Sequence, residues 1–240
     1  MNSLAPVAVV GAMAEEVQRL RAALEGGLAQ RAGPYEVTRG RIEGVDVLLA
    51  ECGIGKVNAA ALTQYLLSMG AGSVIFTGVA GALDPQLCVG DVVIGSEAVQ
   101  HDVDVTALGY APGEVPGSGT TFVADPRLVR LATEAGGTLE GVRTVVGRVA
   151  SGDVFVAGED ASSRIRELFA ASCAEMEGAA CAQVCAAWGT PFVIVRSISD
   201  TADHQANVDF RAFTALAAER AEALVREMLR RLVASSAQAE

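Results

Sequence analysis

Apolar runs of strand length recur along this chain, separated by alanine- and leucine-rich stretches of helical length, and that alternation limits the fold most. Val7–Gly11 is short, β-branched and unbroken by polar residues, as expected of a strand covered on both faces. Residues 73–77 and 192–197 read the same way, and 91–99 and 142–151 are strand-like. Helical spacing marks 14–24, with Val17, Leu20 and Leu24 on one side and Gly26-Gly27 as its stop, and then 56–69, 160–170, 177–188 and 209–233. Asp125-Pro126 opens a further helix, with Asp as N-cap and Pro at the first position, ending near Gly136-Gly137. Residues 35–41 and 45–52 flank a tight Glu43-Gly44 turn and read as a hairpin, so some pairing must be antiparallel. The expected fold is α/β: a three-layer αβα single domain over residues 1–240, core about 7–232, around a central mixed β-sheet.

Charge and composition exclude several function classes. With 18 Lys+Arg against 29 Asp+Glu the formal charge is -11, which brings no positive field to a polyanion, so no nucleic-acid partner is expected. No stretch reaches the roughly 18–20 apolar residues a bilayer span needs, so no membrane partner is expected either. Five widely spread cysteines, an odd number, fit a reducing, cytoplasmic setting. The segment 101–121, rich in glycine and without clear periodicity, is longer than an ordinary connector and reads as a lid or binding segment.

Ligands in such sheets bind at the carboxyl ends of strands. Polar residues collect there in Gly11-Ala12-Met13-Ala14-Glu15-Glu16, Thr77-Gly78-Val79-Ala80-Gly81, Ser151-Gly152-Asp153-Val154-Phe155 and Arg196-Ser197-Ile198-Ser199-Asp200, with Glu175-Met176-Glu177 as a fifth element. Acids opening a helix are favoured by its dipole, so Glu15 and Glu16 read as dipole partners unless one faces the strand ends. Glu175 and Glu177 flank a methionine in an apolar setting, where a carboxylate is expensive unless paired or used. Gly53-Ile54-Gly55-Lys56 lacks the frame of a phosphate loop, and the dinucleotide-binding glycine pattern is absent. Cys181 and Cys185, four apart on a helix, read as buried small residues. With only His101 and His204 as histidines, serine–histidine and multi-histidine zinc mechanisms have little material.

These segments, together with Cys52-Gly53-Ile54-Gly55-Lys56-Val57 and Asp104-Val105-Thr106 with Gly109-Tyr110, occur in an order that closely resembles the 5'-methylthioadenosine/S-adenosylhomocysteine nucleosidase family of the nucleoside phosphorylase superfamily. The resemblance covers residues 7–232. It implies a nucleoside phosphorylase-like fold and a cofactor-independent, metal-free hydrolysis of an N-glycosidic bond. Asp200 is implied as the acid that protonates N7 of adenine, Glu16 as the activator of the attacking water, and Arg196 as its helper. Glu177 is implied to accept hydrogen bonds from the ribose hydroxyls, with Met176 beneath the sugar and Phe155 stacked on adenine, whose edge the Val156 backbone reads. Met13, Ile54 and Phe210 are implied to line the sugar and 5'-alkylthio region, and Val79, Glu175 and Ser199 complete the implied substrate-binding set. Val105, Leu108 and Tyr110, on the loop 101–121, are implied to enter a second subunit's pocket, hence a homodimer.

Chemistry accords with that assignment. Glycosidic cleavage builds positive charge on the ribose and negative charge on the base; a protonated acid at the base and carboxylates near the sugar answer both, and the acid needs a dry site. Phosphorolytic relatives hold phosphate with arginines, one just before the Thr77-Gly78 segment, where this chain has Phe76. Water is therefore the expected nucleophile, with a phosphorolytic nucleoside phosphorylase as the lesser alternative. Val79 replaces a serine of many relatives and Leu108 a phenylalanine of some, which leaves room for a futalosine-type nucleoside of menaquinone biosynthesis as substrate. A nucleoside-binding protein without turnover would be expected to have lost Glu16 or Asp200, and both are present.

Overall fold

The computed structural model describes residues 5–202 and 206–237. In chain order the first half contains β1 (Val7–Gly11), α1 (Ala14–Ala22), β2 (Glu25–Ala32), β3 (Tyr35–Ile42), β4 (Val45–Glu51), α2 (Lys56–Ser68), β5 (Ser73–Ala82) and β6 (Val92–Gln100). A long irregular segment with one 3₁₀ turn at Thr106–Leu108 leads to the second half. There follow β7 (Phe122–Val123), α3 (Pro126–Gly136), β8 (Thr144–Ser151), α4 (Glu159–Phe169), β9 (Ala171–Glu175), α5 (Gly178–Trp188), β10 (Phe192–Asp200) and α6 (Ala206–Ala237).

The sheet is mixed, as expected. β1 lies between β4 and β5 and is parallel to both, and β4, β3 and β2 continue outward as antiparallel neighbours. β5 runs parallel to β10, and its last residues pair antiparallel with β9 through Gly81–Ala174 and Ala82–Cys173. β10 then pairs with β6, β6 with β8, and β8 with β9. Those five strands close into a ring, and β1, β4, β3 and β2 extend from it as an open wing.

Alternation along the central strands feeds two apolar cores. Val9, Leu49, Ile75 and Val193 point towards α1, α3 and α6, where Leu20, Leu131, Leu224 and Met228 meet them. Ala8, Leu48, Phe76 and Ile194 point the other way, towards Leu62 and Leu66 of α2 and Cys181 and Cys185 of α5. Asp125 caps α3 as its sequence predicts, its Oδ1 accepting from the Leu128 N–H at 2.9 Å.

Besides the two-residue β7, two strands depart from the sequence expectation. The segment behind α1, expected only to stop a helix at Gly26-Gly27, is β2, and α1 ends at Ala22. Leu24 explains the exchange: its side chain lies across Gly27, where a Cβ would come within 2.7 Å of it, and against Gly40 of β3, so the glycines accommodate the leucine and let the edge strand pair. β9 is the other, a five-residue strand of mostly small residues that closes the ring. Among the described residues no helix is long and apolar enough to cross a membrane.

Candidate active site

All the candidate acids sit at the carboxyl ends of strands. Glu16 is in the first turn of α1, directly after β1; Glu175 ends β9, Glu177 directly precedes α5, and Arg196 and Asp200 are on β10. Of the adjacent acids in α1, Glu16 is buried and Glu15 exposed. Glu16 turns back over the helix start: Oε2 accepts from the Ala12 and Met13 N–H groups at 2.6 and 3.0 Å, and Oε1 from the Val79 N–H at 2.9 Å. Burial pushes its carboxyl above the ordinary value, against the opposing pull of Arg196 and those three N–H groups.

Arg196 is fully buried beneath the site. Its Nη2 donates to Glu175 Oε2 and lies 3.9 Å from Glu177 Oε2, while its guanidinium sits 4.8 Å from the centre of the Phe76 ring. Among the described residues Nε and Nη1 have no hydrogen-bond partner, and Nη1 lies over Gly78 beside Glu16 Oε1. Gly78 of β5 is paired in register with Arg196, and Gly81 with Asp200. A Cβ at Gly78 would collide with Arg196 and Glu16, and one at Gly81 would lie 2.7 Å from Asp200 Oδ1. Two glycines on one strand thus open the space that a cation and two acids occupy.

Glu175 is already saturated. It accepts from the Ser151 hydroxyl, from the Gly178 N–H at the start of α5 at 2.8 Å, and from Arg196. Glu177 keeps one oxygen on the Gly55 N–H at 2.8 Å; burial, reinforced by the Glu175 charge, pushes its carboxyl up to about 8. Asp200 is buried, with Oδ1 accepting from the Ala202 N–H at 3.0 Å and Oδ2 from the Ser199 hydroxyl at 2.9 Å.

A cavity of about 330 Å³ joins these groups. Glu16, Glu175, Glu177 and Asp200 reach it, and Met13, Ile54, Val79, Val156, Met176 and Ser199 form much of the rest of its wall. Phe155 and Phe210 meet edge to face across its mouth, with ring centroids 5.7 Å apart. The lining is apolar apart from a few convergent carboxylates, the pattern of a small-molecule site. Among the described residues no group of His, Cys, Asp and Glu is arranged to hold a metal ion.

A profile of the Phosphorylase superfamily matches residues 6–230. A 5'-methylthioadenosine/S-adenosylhomocysteine nucleosidase of Geobacillus kaustophilus is 46% identical over 224 residues, spanning 92% of this chain and 95% of that protein. The crystal structure of the Neisseria meningitidis 5'-methylthioadenosine/S-adenosylhomocysteine nucleosidase in complex with methylthio-immucillin-A is 43% identical and superposes with a TM-score of 0.93, covering 95% of this chain and all (100%) of that one. This chain belongs to the 5'-methylthioadenosine/S-adenosylhomocysteine nucleosidase family. A Helicobacter pylori futalosine hydrolase is also similar, at 31% identity and a TM-score of 0.91, with 96% of this chain and 100% of that chain covered.

Within this nucleosidase family member, the residues singled out by sequence fall into three places. Most line the cavity. Arg196 lies under it, held by Glu175 and Phe76. Val105, Leu108 and Tyr110 are not on this chain's cavity; they belong to the segment after β6, with Leu108 76% exposed. Sequence reasoning does not single out Ser151, Gly78 and Gly81 as separate contributors. Their signal is position alone, each paired across the sheet with a singled-out acid or arginine.

Proposed function

We propose that this chain hydrolyses the N-glycosidic bond of 5'-methylthioadenosine and S-adenosylhomocysteine, releasing adenine with 5-methylthioribose or S-ribosylhomocysteine. The observation that carries the reading is the placement of buried Glu16 and Asp200 on one apolar cavity in a member of this nucleosidase family. Asp200 gives a proton to N7 of adenine as the glycosidic bond breaks and electrons pass to the base. Glu16 orients a water towards the anomeric carbon and takes its proton, and Arg196 Nη1 lies beside Glu16 Oε1 to help hold it. Glu177 accepts from the ribose hydroxyls through its carboxyl oxygen. Phe155 stacks on adenine, the Val156 backbone reads its edge, and Met176 packs under the ribose.

Electrostatics supports water over phosphate. Arg196 is the cation beside Glu16 and is already paired with Glu175, with Glu177 at 3.9 Å, and the strand position that would carry a second arginine holds Phe76. A phosphate dianion entering there would meet three acidic side chains and one arginine that is already paired. Replacing Glu16 by Gln or Asp200 by Asn is expected to slow adenine release by about 10²–10⁴-fold each. Full activity in either variant would overturn the role assigned to that residue.

The similarity to a futalosine hydrolase favours a futalosine-type nucleoside as the second reading. Met13, Ile54 and Phe210, on the 5' side, make an apolar wall better suited to a thioether. The exposure of Leu108 and Tyr110, away from their own cavity, supports a homodimer in which the 101–121 loop completes a second subunit's pocket. The five free cysteines support a cytoplasmic setting.

A further inference from the structure

Two loops bound the substrate side of the cavity and a third packs against them, and each leaves the carboxyl end of a different strand. The loop after β4 carries Gly55, whose N–H holds Glu177. The loop after β8 carries Val154, Phe155 and Val156 of the cavity wall. The long segment after β6 begins at His101. Their junction is a closed ring of hydrogen bonds. Lys56 Nζ donates to Asp102 Oδ1 at 2.7 Å and to Gln100 Oε1 at 3.0 Å. Asp102 Oδ2 accepts from the Asp153 N–H at 2.9 Å, and Asp153 Oδ1 accepts from the Lys56 N–H at 2.8 Å.

Each contact has a physical reason. α2 begins after Gly55, which has no side chain to cap it, so Asp153 from another loop supplies the carboxylate that the first free N–H groups and the helix dipole favour. The loops pack closely enough to require glycine at the crossings: a Cβ at Gly55 would lie 3.1 Å from Asp153 Oδ1, with φ at +102°, and one at Gly152 would lie 2.5 Å from His101 Nε2 and 3.1 Å from Asp102 Cγ. The Lys56 and Asp102 side chains are only 17% and 21% exposed, so this ion pair is screened less than an open surface pair. Partial burial raises the Asp102 carboxyl, but the Lys56 ammonium and the Asp153 N–H outweigh it and hold the group below its ordinary value.

We propose that Lys56, Asp102 and Asp153 are positioning residues that lock these three loops together and so set how tightly the nucleoside is held. The proposal rests on the nucleosidase reading for its substrate. Glu177 and the Phe155 wall, which bind, hang on the ring through Gly55 and Asp153. Glu16, Arg196 and Asp200, which do the chemistry, are held instead by Ala12, Met13, Val79, Glu175 and Ala202. Loosening the ring therefore acts on KM and spares kcat.

The test is steady-state kinetics of the full chain on 5'-methylthioadenosine with Lys56→Met, Asp102→Asn and Asp153→Asn, and with Lys56→Arg as the conservative variant. KM is expected to rise about tenfold in the first three, by the greater cost of ordering a loosened loop on binding, with kcat within about twofold, and Lys56→Arg is expected to recover most of the loss. Hydrogen–deuterium exchange without any nucleoside supplies a second readout. In Lys56→Met, peptides covering 101–113 and 152–156 should exchange faster, although the substitution is in neither. A fall in kcat with KM unchanged, or faster exchange confined to residues 54–60, would overturn the proposal. If the wild-type protein releases no adenine, the nucleosidase reading fails, and the exchange pattern still decides whether the ring couples the loops.

Discussion

Alanine at Gly78 adds one methyl group to the space that Glu16 and Arg196 share. Its Cβ would lie 2.8 Å from Glu16 Cδ and in collision with Glu16 Oε1 and Arg196 Nη1, against the 3.4 Å at which ordinary contact begins. Neither side chain is free to swing aside. The Glu16 carboxylate is fixed by the Ala12, Met13 and Val79 N–H groups, and the Arg196 guanidinium by Glu175 and Phe76. The methyl group is accommodated only if the carboxylate gives way by about 1 Å, a misplacement that typically costs about 10²-fold in rate. Loss of the charge-assisted bond from Val79 adds about 1.5–3 kcal/mol of destabilisation, or roughly 2–4 °C of melting midpoint per kcal/mol in a chain of this size. Adenine release under saturating 5'-methylthioadenosine, with a thermal melt of the same preparation, measures both. A folded Gly78→Ala protein with kcat within about twofold of wild type would refute the claim that Glu16 must sit where it does.

Three other substitutions probe the same electrostatics and the scaffold. The Glu177 carboxyl, raised from 4.5 to about 8, keeps in the folded state a proton that the unfolded chain releases, so its contribution to stability is full below pH 4.5 and is lost as pH rises to about 8. Glu177→Gln, which stays neutral, should therefore melt increasingly above wild type between those pH values, and a difference that shrank as pH rose would contradict the sign. Arg196→Met leaves Glu175 buried without its cation and should cost about 3–5 kcal/mol in chemical denaturation; a loss under about 1 kcal/mol would contradict a buried ion pair there. Asp125→Ala removes the α3 cap and should lower stability by about 1 kcal/mol with catalysis unchanged.

How far the sequence could be read depended on whether a segment's own residues carried its structure. Val7–Gly11 and the start of β10 are buried on both faces, so their composition alone marks them, and Asp125-Pro126 carries its own cap. β2 was illegible because Glu25–Ala32 has no apolar alternation; it is a strand through pairing with β3 and through Leu24 lying across two glycines. β9 was too short and its residues too small to separate from a loop, and its pairing with β5 is only Gly81–Ala174 and Ala82–Cys173. The closure of β5, β10, β6, β8 and β9 into a ring depends on that pairing and leaves no mark in the local sequence. The acids of the cavity were legible as strand-end residues. That Glu175 is occupied by Ser151, Arg196 and the start of α5 was not, because it follows from the register of β9 on β8, which sets Ser151 opposite Glu175. The Lys56 ring was hidden for the same reason: residues 56, 102 and 153 are distant in sequence and meet only because β6 and β8 end side by side at Gln100 and Ser151.

The central claim, that water is the nucleophile, is tested most directly by turnover of 5'-methylthioadenosine in phosphate-free ¹⁸O-labelled water. The account predicts adenine and methylthioribose at a rate that added phosphate does not change, with the label on the anomeric oxygen. Adenine released only with phosphate, together with an unlabelled sugar 1-phosphate, would contradict it.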